Sequence, residues 1–158
     1  MNDIRRSPKS DALTDLMLTL FRVNNLTLTW GDRLVAPLGL TSARWQILGG
    51  IALAERPQPV AWLARDLGAN RQNVQRIVND LAKEDLVSFE PNPHHRRAQL
   101  VVLTEKGQRT YDAAIGSFNP RVNMLADSLS LEDIKITHRT MQALQKRLEL
   151  ENDSEKPS

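Results

Sequence analysis

Residues 59–81, PVAWLARDLGANRQNVQRIVNDL, carry two apolar stripes at helical spacing with a glycine between them. Val60, Leu63, Ala64 and Leu67 share one side of a short helix that Gly68 closes. Val74, Ile77, Val78 and Leu81 share one side of the next. Two short helices joined by a tight glycine-bearing turn describe a helix-turn-helix, and few arrangements bury both stripes at once. The open face of the second helix is unusual. Its front half displays Asn70, Arg71, Gln72, Asn73, Gln75 and Arg76, and no carboxylate follows until Asp80. A face that had only to stay soluble favours Glu, Lys and Ala, which form helix better than Asn.

The stretches on either side extend the pattern. Ser10 is placed to cap a helix through Leu13, Leu16, Met17, Leu20 and Val23, continuing past a weak point at Gly31 and ending near Pro37 and Gly39. Thr41 caps the next helix, whose core side is Trp45, Leu48, Ile51 and Ala52. After Leu81, LVSFE and QLVVL read as strands around the basic, proline-stiffened tip PNPHHRRA. Thr104 caps a helix expected to kink or restart at Pro120, and Ser130 with Asp133 fits a capping box for the last helix. Ile134, Met141, Leu144 and Leu148 form a narrow apolar seam along it. The expected fold is mostly α with a small two- to three-stranded β-wing, a winged helix-turn-helix with helical extensions at both ends. Residues 1–9 are expected as a disordered lead-in, 10–148 as a single domain and 149–158 as a flexible tail.

Charge and composition narrow the function. A net charge of +2 over 158 residues does not announce nucleic acid, so position carries the argument. The chain has no cysteine, which removes disulfides, thiolate metal sites and thiol switches. No apolar run reaches the ~20 residues that span a membrane, and the polar start lacks a signal-peptide core, so a cytoplasmic chain is expected. No P-loop, G-x-G-x-x-G, H-E-x-x-H or G-x-S-x-G occurs, which argues against an enzyme.

Arg, Gln and Asn are the side chains whose forked donors and acceptors match base edges, Arg with guanine and Asn or Gln with adenine. A major groove admits a helix, and the helix start adds partial positive charge. Asn70, Arg71, Gln72, Asn73, Gln75 and Arg76 are therefore candidate DNA contacts, with a plain solvated polar face as the alternative. His95, Arg96 and Arg97 on the hairpin tip are candidates for phosphate or minor-groove contact. His94 and His95 are adjacent, and adjacent histidines rarely chelate together, so no metal and no cofactor is expected.

The stretch LTSARWQILGGIA together with VAWLARDLGANRQNVQRIVNDLAKEDLVSFEPNPHHRRAQLVVLTEKG resembles the multiple-antibiotic-resistance regulator (MarR) family over about residues 40–107. The family pattern runs L-T-x-x-x-W-x-[VIL]-L, L-A-x-x-L-G, a recognition helix, G/D-L-V and a wing ending in L-T-x-x-G. The resemblance implies a homodimer that binds a near-palindromic operator, probed by 40–107, with 10–38 and 108–148 as dimerisation helices. It implies base contacts from Arg71, Gln72 and Asn73 and a wing contact from Arg97, and release by a small aromatic or phenolic ligand. Two positions depart from the pattern. His95 replaces the Asp that normally braces the wing, and Trp62 stands where a polar residue is usual. Trp62 is expected to pack on the 54–58 connection, with a ligand crevice as the alternative. Trp30, Arg33, Trp45 and Tyr111 are candidate pocket residues, since an Arg beside aromatics suits a carboxylate-bearing aromatic ligand. The family's zinc-sensing branch fits poorly to His94, His95 and His138. The remaining alternatives are a winged-helix protein-interaction module and a DNA-binding activator that needs no ligand.

Overall fold

A computed structural model describes residues 6–154. The elements run α1 (Pro8–Val35), a 3-10 turn (Ala36–Leu38), α2 (Ser42–Ala52), β1 (Gln58–Pro59), α3 (Val60–Asp66), α4 (Arg71–Lys83), β2 (Val87–Glu90), β3 (Leu100–Leu103), α5 (Glu105–Ala126) and α6 (Leu131–Ser154). The chain divides into two compact units, with the boundary in sequence between Ser117 and Phe118.

In the first unit the core is built around α4. Val74, Ile77, Val78 and Leu81 are buried, in one cluster with Leu48 of α2, Val60, Leu63 and Ala64 of α3, and Leu86, Val87 and Val101 of the wing region. Burying such side chains contributes roughly 1.5–3 kcal/mol each. The stripe therefore fixes the rotation of α4 about its axis and leaves the Arg, Gln and Asn face outward. The turn before it works as the glycine requires. Gly68 has φ +61°, and the Gly68 and Ala69 amides donate to Arg65 and Ala64 carbonyls at 3.0 and 2.8 Å, closing α3. The core side of α2 differs in part from expectation. Ile47 and Leu48 are its buried apolar residues, while Trp45 and Ile51 are only partly buried against the cluster.

At the other end of α2, Ser42 is buried at 5% exposure and is fully engaged. Its amide donates to Asp32 Oδ1 at 2.6 Å and its hydroxyl to the Leu28 carbonyl at 2.8 Å. Gly31 is where α1 admits this contact, since a Cβ there would lie 2.4 Å from Ser42 Oγ. Gly31 is thus a close-approach position and no weak point, and α1 runs through it unbroken to Val35. The start of α1 also differs. Ser7, not Ser10, is the cap and accepts from the Ser10 amide, so Pro8 and Lys9 belong to the helix; residues 1–5 of the expected lead-in lie outside the described residues.

The sheet is antiparallel in the order β1-β3-β2, with Val87 opposite Leu103 and Glu90 opposite Leu100. The segment that follows is clamped to the end of α4. Thr104 Oγ1 donates to the Asp85 carbonyl at 2.6 Å and accepts from the Gly107 amide at 2.9 Å, while the Thr104 amide donates to the Leu86 carbonyl at 3.2 Å. Asp85 sits at φ +59°, a left-handed conformation that favours glycine.

The second unit begins within α5 and continues into α6. α5 passes through Pro120 without restarting, although proline there lacks the N–H that would bond the Gly116 carbonyl and its ring crowds that carbonyl. Ser130 Oγ accepts from the Asp133 amide at 3.2 Å, the expected cap of α6. The helix extends to Ser154, so residues 149–154 of the expected tail are helical, and residues 155–158 lie outside the described residues.

A Cβ at position 107 would stand 1.8 Å from the Leu86 carbonyl oxygen. Gly107→Ala is therefore expected to cost about 3 kcal/mol or more. Asp85→Gly should stay within about 1 kcal/mol of the native chain or exceed its stability. Urea denaturation of the two variants checks both, and an undisturbed Gly107→Ala chain would contradict the clamp.

Candidate nucleic-acid interface

The outward face of α4 begins with its cap. Asn70 Oδ1 accepts from the Asn73 amide at 3.1 Å. This oxygen, expected from sequence to face a base, is committed to starting the helix. Arg71, Gln72, Asn73 and Arg76 are exposed and Gln75 is half-buried. Arg71 and Gln72 make no side-chain hydrogen bond among the described residues, whereas their neighbours are paired along the helix. Arg76 donates to Asn73 Oδ1 at 2.8 Å and approaches Asp80 at 3.8 Å, and Gln75 Nε2 donates to Asn79 Oδ1 at 3.0 Å. Such exposed pairs are weak and exchange readily for a ligand's polar groups.

The acids that follow are held by cations. Lys83 is 3.2 Å from Asp80 and Arg44 is 2.6 Å from Glu84. The front of α4 therefore keeps Arg71 unopposed at the positive end of the helix dipole.

The wing tip projects His94, His95, Arg96 and Arg97, all exposed. With His95 in place of an acid, the brace comes from Asn92. Its Nδ2 donates to the Ala98 carbonyl at 2.9 Å and its Oδ1 accepts from the His94 amide at 3.0 Å. The His95 amide also donates to the Asn92 carbonyl at 3.3 Å, and the Ala98 amide to the His95 carbonyl at 3.0 Å. The side-chain amide spans the loop and fixes the backbone on both sides of Arg96 and Arg97. Asn is suited to this because it supplies both a donor and an acceptor. The sequence carried the signal, an Asn between two prolines, but its bracing role was not read from it.

Wing and helix share one recess. A cavity of about 240 Å³ is bordered by Arg71, Gln75 and Asn79 of α4, by Phe89, Arg97, Ala98 and Gln99 of the wing, and by Pro59, Val60 and Ala61. The fold thus brings Arg71, Gln75 and Arg97 together. Gln72, Asn73, Arg76, His95 and Arg96 do not border this recess. Asn79 and Gln99 join it unannounced, although Asn79 stands one helical turn beyond Gln75.

The other candidates have different surroundings. Trp62 is 45% exposed and lies between two guanidinium groups, with Arg56 at 5.8 Å and Arg65 at 5.7 Å from its ring centroid. It packs on the 54–58 connection through Arg56, as expected. Trp45 and Tyr111 are partly buried against the core, Trp30 is half-buried on α1, and Arg33 is exposed. None of these four borders the recess beside α4 or the second cavity of this unit. The aromatic rings at 45 and 111 are drawn inward by the apolar area they bury.

Comparison with known proteins agrees with this geometry. The sequence model of the MarR family matches residues 38–98. The chain is 34% identical over 135 residues to the uncharacterized protein Rv2011c of Mycobacterium tuberculosis, covering 85% of this chain and 93% of that protein. It is 27% identical over 106 residues to the transcriptional activatory protein BadR of Rhodopseudomonas palustris, covering 66% of this chain and 61% of that protein. Among solved structures, the Mycobacterium tuberculosis regulator MOSR in complex with DNA superposes with a TM-score of 0.69 at 20% identity, covering 82% of this chain and 96% of that one. CouR of Rhodococcus jostii RHA1, bound to p-coumaroyl-CoA, gives 0.74 at 21% identity, covering 82% of this chain and 91% of that one. The arrangement is that of a winged helix-turn-helix DNA-binding protein. The chain belongs to the MarR family of transcription regulators and is not an enzyme.

Asn92→Ala should leave the unfolding midpoint nearly unchanged, because the loop is outside the core. It should raise amide hydrogen exchange at His94, whose N–H loses its bond to Asn92 Oδ1, by about fivefold or more, as a lost hydrogen bond of about 1 kcal/mol permits. Unchanged exchange at His94 would contradict the brace.

Proposed function

We propose that the protein is a repressor that binds a near-palindromic operator as a homodimer and releases it when a small aromatic or phenolic ligand binds. The observation that carries the DNA reading is the recess that joins Arg71 and Gln75 of α4 to Arg97 of the wing. α4 enters a major groove with Arg71, Gln72, Asn73, Gln75 and Arg76 toward base edges and phosphates, while Arg97, with Arg96 and His95 beside it, reaches the neighbouring minor groove. Asn70 serves by capping the helix that presents them.

The dimer reading rests on apolar surface. In the first unit α1 exposes Leu18, Phe21, Val23 and Leu26, with Phe21 at 63% and Leu26 at 71%. In the second unit Met124, Leu125, Leu129 and Leu131 are exposed by more than half. A chain that remained alone in water would not keep such stretches open. A symmetric pair covers them and sets two copies of α4 about one turn of DNA apart, ~34 Å. Release follows when a ligand binds better to a dimer whose recognition helices are mis-spaced. Trp30, Arg33, Trp45 and Tyr111 are the proposed ligand-facing set, with Arg33 toward a carboxylate. A cytoplasmic location is part of the same reading, since among the described residues no helix is long and apolar enough to cross a membrane.

A second reading, an activator, is favoured by the similarity to BadR, a transcriptional activatory protein. A reporter driven by the chain's own upstream region separates the two, rising on deletion of a repressor and falling on deletion of an activator.

Arg71→Ala is expected to weaken operator binding by about 1–3 kcal/mol and to relax sequence preference at one position of each half-site. Arg97→Ala should weaken binding to all sequences alike. Fluorescence anisotropy with single-base operator variants checks both, and native affinity in the two variants would remove these residues from the interface.

A further inference from the structure

The start of α2 holds a cation that the fold has largely withdrawn from water. The Arg44 side chain is only 18% exposed, and it reaches two other elements. Its Nη1 donates to the Gly39 carbonyl at 3.0 Å, at the corner between α1 and α2. Its Nη2 stands 2.6 Å from Glu84 Oε2 at the carboxy-terminal cap of α4, an ion contact without the alignment of a hydrogen bond. Its Nε is buried without an acceptor. Withdrawing a guanidinium from water with a donor left unpaired is costly, and an apolar side chain of similar volume often serves stability as well or better. What the apolar side chain lacks is a rigid fork that holds two acceptors at a defined separation.

That separation links two helices of different use. α2 packs against both α1 and α4, and its first residue is fastened to α1 by the Ser42 bonds to Asp32 and the Leu28 carbonyl. Arg44, two residues on, carries the joint across to the end of α4. The buried stripe fixes the roll of α4, but apolar burial is non-directional and does not by itself specify tilt. Arg71 lies ~20 Å along the helix from Glu84, so a tilt of about 5° displaces it by roughly 2 Å.

We propose that Arg44 is a positioning residue for DNA binding: through Glu84 it sets the tilt of α4 relative to α1, and thereby the spacing of the two recognition helices. The role rests on the homodimer proposed above, in which α1 belongs to the paired surface and α4 to the DNA-facing one. It asks no DNA contact of Arg44 itself. Glu84 is half open to solvent, at 51% exposure, so loss of the contact costs little stability and is read in geometry.

The chain has no cysteine, so Gln72→Cys gives one nitroxide label per copy on the exposed face of α4. Double electron–electron resonance on the full chain is expected to give one narrow distance distribution between the two labels of a dimer. Glu84→Gln keeps the side chain's size and removes its charge. It should broaden or shift that distribution by about 2 Å or more, as the tilt above implies, with the unfolding midpoint nearly unchanged. Arg44→Gln should do the same, and the double variant no more than either, because the two residues act as one contact. If Arg44→Gln fails to fold, Glu84→Gln carries the test. On unlabelled protein, Glu84→Gln should reduce the preference for the native operator over one with its half-sites moved a single base pair apart, by about threefold or more. Equal loss on the two operators would mark a merely structural role and overturn the proposal, as would a native distance distribution in Glu84→Gln. Absence of any distance between labels would overturn the homodimer reading and this role with it, which separates the two failures.

Discussion

Burial of four side chains on α4 governs everything that the winged helix presents to its surroundings. Val74, Ile77, Val78 and Leu81 fill the core together with Leu48, Leu63 and Val101. The helix cannot roll without exposing them, and a roll of one residue position, about 100°, would turn Arg71 and Gln75 away from Arg97. Stability and recognition thus share one element, divided by face. This explains a composition that helix propensity alone disfavours. The apolar stripe supplies the helix's stability through packing, which leaves the open face available for Asn, Gln and Arg.

The same economy accounts for two short motifs. In the L-T-x-x-G run, Thr104 caps α5 and at the same time donates to the Asp85 carbonyl, while Gly107 admits the Leu86 carbonyl where a Cβ would collide. The Lys106 ammonium adds a bond to the Glu84 carbonyl at 2.8 Å. The turn leaving α4 is therefore pinned by the segment entering α5, and β2 starts from a fixed point. In the wing, Asn92 braces the loop by amide geometry, donating to the Ala98 carbonyl and accepting from the His94 amide. Arg97 is exposed, and its guanidinium makes no hydrogen bond or ion pair among the described residues.

Much of the fold was legible in the sequence because burial periodicity, caps and turns are local. Thr41, Thr104 and Ser130 cap where the side-chain chemistry indicated, and the two wing strands and the glycine turn fall as read, while the short strand Gln58–Pro59 lies where a connection and a helix start were expected. The differences arise where distant groups decide. Gly31 looked like a helix breaker until Ser42, ten residues and more along the chain, was seen to occupy the space of its missing Cβ. Ser7 and Ser10 are both competent caps, and sequence does not rank them. Residue types identified the face of α4, but the division of labour within it depends on partners. Asn70 is spent on the cap and Asn73 on Arg76, while Asn79 enters the recess through Gln75. The aromatic pocket set rested on residue type and on the elements expected to border a crevice, and Trp45 and Tyr111 lie partly buried against the core.

The most direct test of sequence-selective DNA binding by this face is a salt titration. Fluorescently labelled duplex from the chain's own upstream region, with a scrambled duplex as control, is titrated with the protein from 50 to 200 mM salt, ionic conditions over which phosphate contacts weaken steeply. The account predicts tight binding to the upstream duplex, much weaker binding to the scrambled one, and a log–log slope of several units for both. Equal, weak and salt-insensitive binding to the two duplexes would contradict it and assign the winged helix to a protein partner.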